Sequence, residues 1–391
     1  MMLFLNLTKN SNQQELDTIF KFKNSNEIAS HSVSKAAFSK ARKNLSYTAF
    51  VELNRHMVDD YYHLHSNIKK WHGFRLCAID GSHFRLPNEP DVVNEFGTHK
   101  GKSYRKSCSM ALSSMYYDVL NEIAIDSRIS PSRTSERELA SEHLPYADKN
   151  DLVLLDRNYP VFWLYAQLQS QGLHFCMRVR DNIDTLYKQF KESGKKECVV
   201  EVTPNNNSMR ICKEKGLSKE PIKLRLVRVG LENEVEILVT NLLDKQKYPT
   251  CLFKKLYHCR WGIEEGYKRQ KIWLEIENFS GKSALAVKQD YYAKMVTLNL
   301  TAMMVNASQN TVKDKHKTRR LKYKINFAQA LSKMKDNVVL LLLNIDIKDR
   351  IQQLINYIAS TVEAVRNNRQ FVRKKHHYNK HINHLCYKRC R

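Results

Sequence analysis

The stretch "LYHCRWGIEEGYKRQK", residues 256–271, places Tyr257, Arg260, Glu264 and Lys271 at helical intervals. At roughly 100° per residue, all four fall within an arc of roughly 60°. An acid between two cations and a phenol suits phosphates and metal ions. Two more acids stand at the ends of apolar runs: Asp80 in "FRLCAIDGSHFRL" and Asp156 in "DLVLLDRNYP". Two Asp and one Glu are hard oxygen ligands for Mg²⁺ or Mn²⁺. Two such ions about 4 Å apart can activate a nucleophile and stabilise a leaving oxygen in phosphodiester cleavage. Each feature also has an ordinary alternative. An Asp at a strand end is often a turn residue. Arg260 and Lys271 could simply pair with Glu264, although an exposed ion pair adds only about 0–1 kcal/mol. Trp261, at about +40° on the same helix, is either a core aromatic or a platform for an unpaired base.

The elements that must position these residues can be read from periodicity. "FRLCAIDGSHFRL" predicts a strand with a turn at Asp80-Gly81, and "SCSMALSSMYYDVL" and "NEIAIDSRI" predict two strands around a tight turn near Asn121. "SERELASEHLPYA" reads as a helix capped by Ser135; it places Glu136, Glu138 and Glu142 near the candidate site, and an acidic first turn explains them. "DLVLLDRNYP" reads as a buried strand, "VFWLYAQLQSQG" as a helix closed by Gly172 and "HFCMRVR" as a strand. This order implies a mixed sheet covered by helices, with ligands gathering outside strand ends. Residues 1–70 read as helical, with Ser34 and Ser46 as N-caps. Lys35, Lys40, Arg42 and Lys43 there make either a DNA-binding unit or a solvated basic face. Residues 71–181 form the first part of the core and 182–246 a β-rich insertion. In the insertion "ECVVEVTP", "SMRICKE", "IKLRLVRVGL" and "EVEILVTNLL" all read as strands. Residues 247–310 hold a helix around 248–275 and a second long helix, and 311–391 a basic helical region and tail.

With 391 residues and 42% hydrophobic content the chain is globular. Its 65 Lys and Arg against 40 Asp and Glu leave a formal net charge of +25, which calls for a polyanion, nucleic acid before an anionic membrane surface. The segment "KDKHKTRRLKYK" has seven basic residues and one acid, and the last 26 residues contain no acid. No apolar run reaches membrane-spanning length, and the start "MMLFLNLTKNSNQQ" lacks leader features. Nine Cys without disulfide-like spacing suggest a reducing cytosol, with Cys77, Cys108 and Cys176 as core thiols. His376, His377, His381, His384, Cys386 and Cys390 in the tail either bind zinc or belong to a basic phosphate-binding tail. The chain has no Gly-rich nucleotide loop.

The spacing Tyr257-x2-Arg260-x3-Glu264-x6-Lys271 resembles the Tyr–Arg–Glu–Lys signature of the IS-four group of bacterial insertion-sequence transposases. "AIDGS" and "LLDRNYP" resemble their two Asp motifs, "AAFSKARKNLS" their N-terminal helical region and "IENFSGKSALAVKQDYYA" the segment after the signature. The likeness runs over most of residues 30–310. It departs at Asn158, where the family usually has Gly; Asn is among the few other residues that tolerate positive φ.

The resemblance implies an α/β, ribonuclease H-like mixed sheet flanked by helices, with the β-rich insertion and helical N- and C-terminal parts around it. It implies an Asp80–Asp156–Glu264 triad holding two Mg²⁺ (or Mn²⁺) ions. Arg260 and Lys271 would bind phosphates, with Tyr257 and Trp261 at the DNA end. The implied activity is cutting at transposon ends and joining of the 3′-OH to target DNA. The implied partners are double-stranded DNA and a second protomer on it, with no membrane and no nucleotide cofactor, in the bacterial cytoplasm at the nucleoid. The alternatives are an inactive end-binding protein derived from a transposase, and a structure-specific nuclease without strand transfer.

Overall fold

The computed structural model describes residues 1–6, 11–23, 33–65, 67–99, 108–180, 185–231, 234–335, 337–343 and 347–366. Helices α1 (Met2–Leu5), α2 (Asn12–Lys23), α3 (Lys35–Ala41) and α4 (Thr48–Leu64) come first. Ser34 caps α3 by accepting from the Ala37 N–H, and Ser46 accepts from the Thr48 N–H at 3.2 Å. These helices pack onto the rest of the chain: Phe50 and Val58 are buried, and Asn54 accepts from Asn299 at 2.8 Å. Arg42 is not part of a solvated basic face. It is buried, donating to Gln289 and Ser280 and pairing with Asp290 at 3.4 Å. A guanidinium is tolerated there because its donors are matched. Lys35, Lys40 and Lys43 are exposed.

The sheet begins with β1 (Arg75–Arg85), followed by α5 (Pro90–Phe96), β2 (Thr98–His99), β3 (Cys108–Asp118) and β4 (Ile123–Pro131). Then come α6 (Glu136–His143), β5 (Asp151–Leu155), α7 (Phe162–Ser170) and β6 (His174–Arg178). β3 lies antiparallel between β1 and β4, while β1, β5 and β6 run parallel. The expected turn at Asp80-Gly81 is absent. β1 runs straight on to Arg85 because β3 pairs with it throughout, from Cys77–Asp118 to Arg85–Met110. On its other side β5 stops at Leu155, opposite Ile79. β1 therefore outruns β5 from Asp80 onward.

The sheet continues through the region read as an insertion: α8 (Thr185–Glu192), β7 (Glu197–Val202), α9 (Asn206–Lys215), β8 (Ile222–Gly230) and β9 (Val235–Thr240). The strand order is β3-β1-β5-β6-β9-β8-β7, with β2 and β4 against β3. The strand expected over "SMRICKE" is corrected to the helix α9. Asn205 accepts from the Ser208 N–H at 2.9 Å, and Gly216 closes the helix at φ 66. Those two caps outweigh the local alternation.

Next come α10 (Cys251–His258), α11 (Trp261–Lys268), a π-turn (Arg269–Trp273) and the long, largely buried α12 (Ala284–Lys315). The single helix expected around 248–275 is thus interrupted. The N–H groups of Cys259 and Arg260 bond three residues back, each at 3.1 Å, the tightening of a 3₁₀ turn. The described chain ends with β10 (Tyr323–Ile325), α13 (Phe327–Met334), α14 (Asn337–Leu342), α15 (Ile347–Ala359) and β11 (Val362–Ala364). The His and Cys residues weighed for zinc lie outside the described residues. Cys77 and Cys176 are buried and Cys108 half-buried. No described helix is long and apolar enough to cross a membrane.

α11 lies so close to the β3–β4 turn that a Cβ on Gly262 would come within 2.8 Å of the Val119 Cβ. Gly262→Ala is therefore expected to lower the melting temperature, overpacking of about 1–3 kcal/mol exceeding the roughly 1 kcal/mol gain in helix propensity. Adding Val119→Gly, which removes the opposing Cβ, should relieve the clash, whereas Val119→Ala, which keeps that Cβ, should not. Thermal unfolding of the variants checks this.

Candidate active site

Asp80 and Asp156 meet because of the β1–β5 register. With Ile79 opposite Leu155, the next residue on each strand is the acid. Each carboxylate is anchored locally, Asp80 Oδ1 by the Gly81 N–H at 2.9 Å and Asp156 Oδ1 by the Asn158 N–H at 2.6 Å. The backbone of Asp80 is also pinned. Its carbonyl accepts from Tyr267 Oη at 2.7 Å, with Ser114 Oγ at 3.4 Å.

Two other strand-end acids make a useful contrast. Asp118 is buried and caps the β3–β4 turn through the Leu120 and Asn121 N–H groups, while also accepting from Tyr62. Asp151 is buried in a two-pronged pair with Arg75 at 2.6 and 2.7 Å. Both are structural acids. Among the described residues Asp80 has one long ion pair, to Arg260 Nη1 at 3.7 Å.

Arg260 also reaches Glu264, Nη2 to Oε1 at 2.8 Å, so one guanidinium bridges the acid of β1 and the acid of α11. Tyr257 lies beneath it, buried, its hydroxyl donating to the Leu155 carbonyl at 3.3 Å. In this structure Tyr257 supports Arg260 and the end of β5. Lys271, in the π-turn, donates to Ser82 Oγ at 2.7 Å, two residues beyond Asp80. Trp261 is 46% exposed, so the core alternative does not hold. Glu265 points away and pairs with Lys268 at 3.3 Å. The broken helix therefore still turns Tyr257, Arg260, Glu264 and Lys271 toward the ends of β1 and β5.

Three further residues take part in ways the sequence did not show. Glu136 was explained there as a helix-terminal acid, yet its Oε1 would lie 2.8 Å from a Cβ on Gly81. Asn158 ties the second Asp loop together: its carbonyl accepts from Arg137 at 2.6 Å, and its side chain meets Arg180 and Glu136. It does not take a positive φ, so the departure from Gly carries no strain. Tyr159 is fully buried, and its hydroxyl has no hydrogen-bond partner among the described residues.

The sequence pattern of the transposase DDE domain matches residues 71–300, which include every candidate residue above. The chain belongs to this family. The mixed α/β sheet is accordingly ribonuclease H-like. Over 239 residues the transposase-family chain is 26% identical to the transposase InsG for insertion sequence element IS4 of Escherichia coli (strain K12), covering 59% of this chain and 52% of that protein. Over 116 residues it is 27% identical to "Putative transposase InsZ" of the same organism, covering 29% of this chain and 39% of that one. The chain thus spans about half or less of the length of these relatives.

Transposases of this family use divalent metal ions. The donor set fits: Asp80, Asp156 and Glu264 supply hard oxygens, and the orphaned Tyr159 hydroxyl and Arg260 Nε sit among them. With Arg260 bridging Asp80 and Glu264, the described residues contain no three His, Cys, Asp or Glu side chains converging closely enough to grip an ion. Ion binding would require Arg260 to release at least one carboxylate.

Burial pushes the Asp80 carboxyl up to about 7; Asp156 and Glu136 add to the rise, while the Gly81 N–H and Arg260 oppose it. A carboxyl raised in the fold binds protons that the unfolded chain has lost. Its ionisation therefore reduces stability increasingly from about pH 4 to pH 7, and the loss is constant above. Asp80→Asn should accordingly stabilise the metal-free protein more at pH 8 than at pH 5. The difference should be about 1–3 kcal/mol after allowance for partial exposure, read from denaturant unfolding at the two pH values.

Proposed function

We propose that the protein is a DNA transposase that cuts at transposon ends and joins the freed 3′-OH to target DNA. The observation that carries this reading is the register of β1 and β5, which sets Asp80 beside Asp156, with Glu264 brought to Asp80 through Arg260. Asp80, Asp156 and Glu264 would hold Mg²⁺, or Mn²⁺ in its place. Bound ions would supply activation of the attacking oxygen and stabilisation of the leaving oxygen. In the first step water attacks the phosphorus and the 3′ oxygen of the transposon strand leaves. In the second that 3′-OH attacks a target phosphodiester and displaces the target's own 3′ oxygen. Both are in-line displacements at phosphorus, so one site serves both.

The chain's own residues place the DNA. Lys271, held beside the end of β1 by Ser82, binds a flanking phosphate as a point charge. Arg260, once it lets go of a carboxylate, offers a planar fork to a second phosphate. Trp261, exposed at the start of α11, offers a stacking surface for a base. Tyr257 acts from below by holding Arg260. The exposed Lys35, Lys40 and Lys43 and the segment 313–324 add salt-dependent affinity for double-stranded DNA. Two protomers would pair on two transposon ends in the bacterial cytoplasm.

Supercoiled plasmid carrying the ends, and a pre-cut end offered with target DNA, test the two steps. Strand transfer with Mg²⁺ supports the transposase. Nicking without transfer would point to a nuclease, and binding without either to an inactive end-binding protein.

Glu264→Gln should keep end binding and lose nicking by a factor of at least about 10³. Glu265→Gln, on the far face, should retain most activity. Nicking by Glu264→Gln with loss in Glu265→Gln would overturn the assignment.

Lys271→Ala should weaken end binding and reduce the slope of log K against log salt by about one unit. An unchanged slope in a salt titration would assign Lys271 to structure instead.

A further inference from the structure

Behind Asp80 lies a row of buried polar side chains that the proposed chemistry does not use. His143, in the last turn of α6, is fully buried. Its Nδ1 lies 2.7 Å from Asp126 Oδ2 on β4, and its Nε2 lies 2.9 Å from Ser114 Oγ on β3. Its ring stacks on Tyr116, with centroids 6.4 Å apart. Asp126 is buried too and accepts from Arg128 Nε at 3.1 Å, while Arg128 also pairs with Glu142 at 2.8 Å. From Ser114 the row reaches the main chain of the site. Ser114 Oγ donates to the Asp80 carbonyl at 3.4 Å, and the N–H of that same peptide, on Gly81, donates to Asp80 Oδ1 at 2.9 Å. An Asp–His–Ser row is also the order of an acyl-transfer triad. Here Ser114 is fully buried, so nothing reaches it as a nucleophile.

The acceptors decide where the hydrogens go. A carboxylate only accepts, so Nδ1 carries a hydrogen for Asp126. Ser114 has one hydroxyl hydrogen to give. It serves the Asp80 carbonyl only when Nε2 carries a hydrogen as well and donates to Oγ. The ring is then an imidazolium, and the Asp126 carboxylate matches its charge. A buried charge is tolerated when it is paired and its donors are used. The Asp80 carbonyl already accepts from Tyr267 at 2.7 Å, and its second lone pair is open to Ser114. Linked hydrogen bonds polarise one another, so a donor at this carbonyl strengthens the Gly81 N–H as a donor.

We propose that His143 is a positioning residue for Asp80. Charged against Asp126, it holds the Ser114 hydroxyl on the Asp80 carbonyl, and the polarised peptide returns a stronger N–H bond to the Asp80 carboxylate. The positioning role rests on Asp80 as an acid of the proposed reaction; the hydrogen-bond row itself does not.

Asp80-Gly81 is the only Asp-Gly pair in the sequence. The full chain labelled with ¹³C at the Asp carbonyl and ¹⁵N in Gly therefore gives one coupled resonance signal, from this peptide. Ser114→Ala and His143→Gln should each move that signal, and the double variant should move it no further than Ser114→Ala does. Ser141→Ala, which removes another buried hydroxyl of α6, one bonded to Gln167 at 2.8 Å, should leave it in place. The ring ¹⁵N signals of His143, assigned by their loss in His143→Gln, should show hydrogen on both nitrogens. Nicking at saturating DNA should fall about 3–10-fold in Ser114→Ala and in His143→Gln, the worth of one ordinary hydrogen bond. End affinity should not change, because neither side chain reaches the surface. Thermal unfolding confirms that each variant is folded. A signal that stays put in Ser114→Ala, or a bare Nε2, overturns the row. A signal that moves while both variants nick like the parent overturns the positioning role. If the parent itself does not nick, the transposase reading falls and takes the positioning role with it, while the resonance signals decide the row separately.

Discussion

Parallel pairing of β1 with β5 sets the position of everything at the site. A parallel ladder forces residues into register over its whole length, and here it runs from Arg75–Asp151 to Ile79–Leu155 and then stops. β5 leaves the sheet one residue before Asp156, while β3 keeps β1 in the sheet as far as Arg85. The result is a notch where one strand continues and its neighbour has turned away, the place where mixed sheets expose backbone and side chains to a ligand. A slip of one residue would turn Asp80 into the opposite face of the sheet. The Arg75–Asp151 pair at the start of the ladder helps lock that register.

Charge balance is the second constraint. Asp80, Asp156, Glu136 and Glu264 gather where β1 outruns β5, while burial raises the free energy of every charge there. Arg260 offsets part of this by touching two of the acids. It is itself held by the buried Tyr257, whose ring lies 5.9 Å from the guanidinium carbon. The acids at this notch are thus kept in order by an internal cation. In the proposed function a metal ion would take over part of that role, and the guanidinium would turn to the DNA backbone.

The strands β7–β9 and the N-terminal helices enlarge the core around this notch. β9 pairs antiparallel with β6 and carries the sheet onward, and α4 and α12 meet through Asn54 and Asn299. Asn299 also satisfies both the N–H and the carbonyl of Ala124, where the pairing of β3 and β4 shifts register. Rigid support of this kind holds the strand ends in place.

The sequence by itself determined β3, β4, α6, β5, α7 and β6, between residues 108 and 178, because their apolar periodicity and capping residues act within a few residues of each other. It also showed that Tyr257, Arg260, Glu264 and Lys271 share a side, since four positions within a few helical turns suffer little from one tightened turn and one π-turn. Local alternation misled where a capped helix, α9, was read as a strand, and a Gly in an apolar strand, Gly81, was read as a turn. Only the tertiary structure decided that Arg42 is buried and that Tyr257 lies under Arg260. The same holds for Glu136 over Gly81 and for the unpartnered hydroxyl of Tyr159 among the acids. Most of those facts depend on which element from another part of the chain comes near, and nothing in a single residue's neighbours along the chain encodes that approach.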